Sequence, residues 1–216
     1  MDRTAKVTFV TLVGSVVNII LTVFKIFAGV LGRSTAMIAD GIHSLSDLLS
    51  DIVVIVFVKI SAKGRDKDHD YGHGKFETFA TLIISLMLIV VAVNLMSGGI
   101  NKIRQILDGG EVSSPGMIAL WSAVASIVLK EILYHYTIIQ GKALNSPMMI
   151  ANAWHHRSDA ISSIVVLIGV AGSLMGVPYL DAFAALGVAF MIGKIGWDQA
   201  WSSIRELIDT GMEPKT

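Results

Sequence analysis

Cysteine is absent from this chain, which excludes disulfides and thiolate metal sites and leaves the redox compartment open. Charge is scarce: 16% of the residues are Asp, Glu, Lys or Arg, against about 25% in a soluble domain. Positive and negative groups cancel to a formal net charge of zero, so nothing points to nucleic acid. The His-Glu-x-x-His pattern of zinc hydrolases does not occur. No small-residue cleavage site closes the first apolar stretch, which is longer than a signal peptide's core and reads as a membrane span.

Apolar residues fill the space: 53% of the 216 residues are hydrophobic. That is the profile of a polytopic membrane protein. A helix needs roughly 20 apolar residues to cross a bilayer. Six stretches qualify, at 7–31, 35–60, 77–100, 116–140, 147–174 and 180–207. Gly32-Arg33, the polar loop from Ser61 to Lys75, Asp108 to Pro115, Gly141 to Pro147 and Gly176-Val177-Pro178 separate them. Pro147 suits a first helical turn. With the N-terminus inside, the inner side carries Arg3, Lys6, Lys63, Arg65, Lys67, Lys75, Lys142, Arg205 and Lys215, and the outer side Arg33, Lys102 and Arg104. The excess predicts that both termini are cytoplasmic, as an even number of spans requires. The fold expected is an all-α membrane protein of six transmembrane helices.

Two of the spans repeat one arrangement. His43 precedes Asp47 by four residues, and 112 residues later His155 precedes Asp159 by four. Residues i and i+4 share a helix face. The second span would run inward and the fifth outward, so the pairs are carried antiparallel, as at the midplane sites of transporters. On each helix the polar residues form one narrow stripe, and ionisable groups inside a membrane are a functional hypothesis by default. Two imidazoles and two carboxylates make a tetrahedral set suited to Zn²⁺. Asp40, Asp51, Asn152 and His156 share those stripes but are not assigned as ligands. Lys25, Lys130, Glu131, Lys194 and Asp198 also fall within spans and receive no role. The loop holds Asp66, Asp68, His69, Asp70 and His73, which on composition alone reads as an ordinary solvated loop.

The chain resembles the membrane domain of the cation diffusion facilitators, a family of divalent-metal/proton antiporters. The resemblance is carried by Ser34-Thr35-Ala36-Met37-Ile38-Ala39-Asp40-Gly41-Ile42-His43-Ser44-Leu45-Ser46-Asp47, by Tyr71-Gly72-His73-Gly74-Lys75 and by His155-His156-Arg157-Ser158-Asp159. It implies the cation-efflux transmembrane fold, a homodimer in the lipid bilayer, and a transport site per protomer on His43, Asp47, His155 and Asp159. It implies zinc as the usual cargo, with Cd²⁺, Fe²⁺ and Mn²⁺ as alternatives and protons as the exchanged ion. It also implies a peripheral loop site on Asp66, His69 and His73, and an interlock between Lys75 and Asp209. The expected domain is a transport domain over 1–210. Residues 211–216 form a stub where most members continue into a cytoplasmic metal-sensing domain. The expected function is proton-coupled efflux of divalent metal, most of all Zn²⁺, across the cytoplasmic membrane of a bacterium, without enzymatic activity or a resident cofactor. Two alternatives stay open: an intramembrane metalloenzyme and a passive metal channel.

Overall fold

The computed structural model describes residues 3–61, 75–110 and 113–208. Within them the chain forms six α-helices and no strand: α1 (Arg3–Leu31), α2 (Thr35–Ser61), α3 (Lys75–Leu107), α4 (Met117–Ala143), α5 (Pro147–Leu174) and α6 (Tyr179–Leu207). Judged on the described residues, five of these are long and apolar enough to cross a membrane; α2 is 27 residues long. α5 has the bounds read from the sequence, whereas α3, at 33 residues, overruns its apolar window most. A 30 Å hydrocarbon layer needs about 20 helical residues, so each of these helices is longer than a crossing requires. Lys75, Lys102, Arg104, Lys142 and Arg205 are therefore helical residues, although several were expected in loops.

Four helices end in the same way. In each, one residue has a positive φ: Arg33 (49°), Gly109 (73°), Asn145 (46°) and Gly176 (98°). After α1, the Ser34 N–H donates to the Gly29 carbonyl and the Arg33 N–H to the Val30 carbonyl. The same pair of bonds recurs after α3, α4 and α5. It is the Schellman arrangement, which satisfies carbonyls that would otherwise be orphaned at a helix end. Glycine and asparagine adopt this conformation readily. Arg33 does not, yet it closes a turn of only three residues between α1 and α2.

The chain divides into two compact units, Met1–Leu45 with Leu95–Val188, and Ser46–Asn94 with Ala189–Thr216. In the first, α5 packs along α4 and α4 against α1. Tyr134, Ile138 and Ala153 form a buried apolar cluster between α4 and α5, flanked by Ile150. Arg157 stacks over Tyr134 at 4.7 Å. The α1–α2 hairpin is drawn tight by two glycines. A Cβ on Gly29 would lie 2.8 Å from the Ile38 nitrogen, and one on Gly41 would lie 3.0 Å from the Ile26 nitrogen. Small residues at a crossing let two backbones approach, and this one brings Lys25 of α1 against Asp40 of α2.

In the second unit, the first half of α3 runs antiparallel to the last half of α6. Lys75 Nζ donates to the Leu207 carbonyl at 3.3 Å, Thr78 Oγ1 to Glu206 Oε1 at 2.9 Å, and Ser85 Oγ to Gln199 Oε1 at 3.4 Å. Trp197 and Trp201 stack with their centroids 6.4 Å apart, and Arg205 covers Trp201.

Candidate metal centre

The two His/Asp pairs lie on α2 and α5, as the helical spacing requires. His43 and Asp159 are buried, with 8% and 5% of their surfaces exposed. The unit boundary falls inside unbroken α2, after Leu45, and half-buried Asp47 follows on the same helix, one turn beyond His43. Within the first unit, a ligand atom of His43 lies within 4.8 Å of a carboxylate oxygen of Asp159. An imidazole and a carboxylate therefore converge, with a second carboxylate one turn along α2 from the imidazole, donors of the kind that hold a divalent cation.

His155 stands beside this set rather than in it. Its ring is 48% exposed, and Nε2 lies 3.8 Å from Asp159 Oδ2. That oxygen is engaged by Lys130, whose Nζ donates to it at 2.6 Å. His156 turns elsewhere: it is 1% exposed, with Nε2 3.4 Å from Asn152 Nδ2. It packs where α1 has Gly14, whose Cβ would lie 3.4 Å from that nitrogen.

Asp40 belongs to a separate cluster. Lys25 Nζ approaches Asp40 Oδ2 at 2.9 Å, with both side chains fully buried. Ser163 Oγ donates to the same oxygen at 3.0 Å. Lys25 also donates to Ser44 Oγ and Ser163 Oγ, each at 3.2 Å. The stripe that the sequence shows as one face of α2 is thus divided between two sites. A third buried carboxylate, Asp181 of α6, accepts from Ser34 Oγ at 2.5 Å, from the Thr35 N–H at 3.0 Å and from Lys102 Nζ at 2.6 Å. Ser34 Oγ in turn accepts the Met37 N–H, capping α2.

The sequence reading left Lys25 and Lys130 without a role, and it passed over Asp181. A signal was available. A carboxylate buried in an apolar medium needs a counter-charge or several donors, so each intramembrane Asp predicts a lysine at its depth. Glu131, adjacent to Lys130, pairs instead with His135 at 3.4 Å. Lys194 and Asp198 are an exposed pair, 3.8 Å apart, on α6. The loop candidates Asp66, His69 and His73 lie outside the described residues, as does Asp209. Lys75 is described, and its contact with Leu207 brings it near the end of α6.

Residues 11–208 match the family described as the cation efflux transmembrane domain. The chain belongs to the cation diffusion facilitators. It is 40% identical, over 99% of its length, to an uncharacterized transporter of Methanocaldococcus jannaschii, and spans 72% of that protein. It is 38% identical, over 91% of its length, to the magnetosome protein MamB of a Magnetospira species, and spans 66% of it. It is 37% identical, over 95% of its length, to the manganese efflux system protein MneP of Bacillus subtilis, and spans 70% of it. The chain thus spans about two thirds of these relatives' lengths. As a member of this family it is an integral membrane protein of the metal-transport class and not an enzyme.

Proposed function

We propose that the chain exports divalent metal cations in exchange for protons, through a mid-membrane site formed by His43, Asp47, Asp159 and His155. The approach of His43 to Asp159 within 4.8 Å, with Asp47 one turn beyond His43 on α2, carries this reading. It joins two helices whose polar groups would otherwise be costly in a bilayer. His155, 3.8 Å from Asp159, would complete a tetrahedral His₂Asp₂ set by a modest side-chain movement. Zn²⁺ is the proposed cargo, because two imidazoles with two carboxylates suit its geometry and softness.

The mechanism follows from ligand chemistry. A histidine nitrogen binds metal only when unprotonated, so protons and metal compete for His43 and His155. Facing the cytoplasm, the site takes up the cation and loses protons. Facing outward, it meets a higher proton concentration, which releases the metal. Movement between the two states exposes the site to one side at a time. In this reading both termini are cytoplasmic, the membrane is the bacterial cytoplasmic membrane, and the transporter is a homodimer. Asp66, His69 and His73 serve as a peripheral loop site. Lys75 and Asp209 interlock the protomers.

A second reading takes Mn²⁺ as cargo. Two observations favour it: one imidazole and two carboxylates are a harder set than the full four, and MneP is named for manganese efflux. Competition in proteoliposomes with a pH-sensitive dye separates the two. His43→Ala should reduce metal-dependent proton flux to background, and wild-type flux in that variant would refute the site. His43→Asp should shift preference from Zn²⁺ toward Mn²⁺ by about tenfold or more, and an unaltered preference would deny His43 any part in selectivity.

A further inference from the structure

Asp159 is at once a member of the converging set and half of a buried ion pair. Lys130 reaches it across the α4–α5 interface, with the two side chains 3% and 6% exposed. Lys130 Nζ lies 2.6 Å from Oδ2. A metal ligated by that oxygen would lie about 2 Å away. Two cations so close repel strongly where water is scarce. The ammonium and the cargo therefore compete for one carboxylate.

The surroundings offer the ammonium another seat. Ser122 Oγ and Ser126 Oγ are buried and have no hydrogen-bond partner among the described residues. They precede Lys130 by eight and four residues, so all three lie along one face of α4. A long side chain on a helix leans toward the turn before its own Cα. For Lys130 that turn is the one bearing Ser126. Buried hydroxyls usually have a partner, and two without one on the lysine's own face form a receptive track.

We propose that Lys130 is the resident counter-cation of the metal-free site, and that it moves toward Ser126 when a divalent metal takes its place on Asp159. This rests on the reading of His43, Asp47 and Asp159 as the cargo site. Lys130 sets metal affinity by competition. It also lets the empty carrier return without a bare carboxylate in an apolar medium. It is a positioning residue and not a ligand.

The test uses the full chain, with Zn²⁺ and Mn²⁺ as probes. Calorimetry in detergent should show Lys130→Met binding metal about tenfold more tightly than wild type, and Lys130→Arg binding within a few-fold of it. In proteoliposomes, net efflux by Lys130→Met should fall several-fold while metal-for-metal exchange persists, since only the empty carrier's return is impaired. Unchanged or weaker binding in Lys130→Met would overturn the proposal, because a merely structural lysine never tightens metal binding on removal. Should that variant fail to fold, Ser126→Ala decides: several-fold weaker binding supports the proposal, and unchanged binding overturns it. His43→Ala separates the two levels. Binding that survives in His43→Ala defeats the site itself. Binding lost there, but unchanged in Lys130→Met, defeats only the role of Lys130.

Discussion

Two lysine–aspartate pairs lie buried in one unit of this molecule, and they are held differently. Lys25 and Asp40 are 2.9 Å apart and fully buried. Ser163 donates to the same carboxylate oxygen, and Ser44 and Ser163 both accept from the ammonium. Side chains from α1, α2 and α5 fix one another. Lys130 and Asp159 are closer, at 2.6 Å, but one flexible side chain carries that bond. A charge with many partners cannot change them cheaply, because each lost hydrogen bond leaves a buried group unsatisfied. A charge with one partner on a four-carbon stem can exchange it. The first pair is a clasp between helices, and the second is where exchange with a cargo ion is chemically accessible.

That contrast can be broken by matched substitutions. The largest effect is expected at the second pair: Asp159→Asn should abolish metal flux in proteoliposomes while thermal unfolding in detergent stays cooperative. Lost cooperativity would place Asp159 with the clasp instead. Asp40→Asn should act mainly on stability, because it leaves the Lys25 ammonium buried and uncompensated. The expected cost is about 3–5 kcal/mol, read as a lowered unfolding midpoint. If Asp40→Asn is as stable as wild type, the clasp is not structural.

The clasp also depends on the backbone approach that makes it. Gly41→Ala would put a Cβ 2.8 Å from Ile26 Cγ1 and 3.0 Å from its nitrogen. Overpacking of this kind costs about 1–3 kcal/mol. A fully stable Gly41→Ala would show that the hairpin can open without loss. The smallest effect is expected at the turn between those helices. Arg33 has φ 49°, and Arg33→Gly should stabilise the protein by roughly 0.5–1 kcal/mol, the left-handed penalty less the added chain entropy. Destabilisation would instead assign the Arg33 side chain a role in that turn.

Much of this was legible beforehand. Apolar length alone gives six helices, and a period of four places His43 over Asp47 and His155 over Asp159 on α2 and α5. Gly109, Asn145 and Gly176 mark helix ends because their residue types favour positive φ. Arg33 gives no such signal, because its conformation is imposed by the three-residue connection. Buried carboxylates call for lysine counter-charges, but which carboxylate Lys25, Lys130 or Lys102 would meet was not legible, because the sequence does not say which helices meet at one depth. Helical spacing also places Asp40 on one stripe with Asp47, yet Asp40 is taken up by Lys25 and Ser163.

The sequence by itself determined a membrane-embedded helical chain with two His-x-x-x-Asp faces. Both follow from local quantities: the apolar length needed to cross a bilayer, and the 3.6-residue turn. Only the tertiary structure decided which carboxylate each buried lysine neutralises. It left His155 at the margin while His43 and Asp159 converge. Pairing across helices depends on where separate elements come together, and charges in an apolar medium are governed by their nearest partners in space.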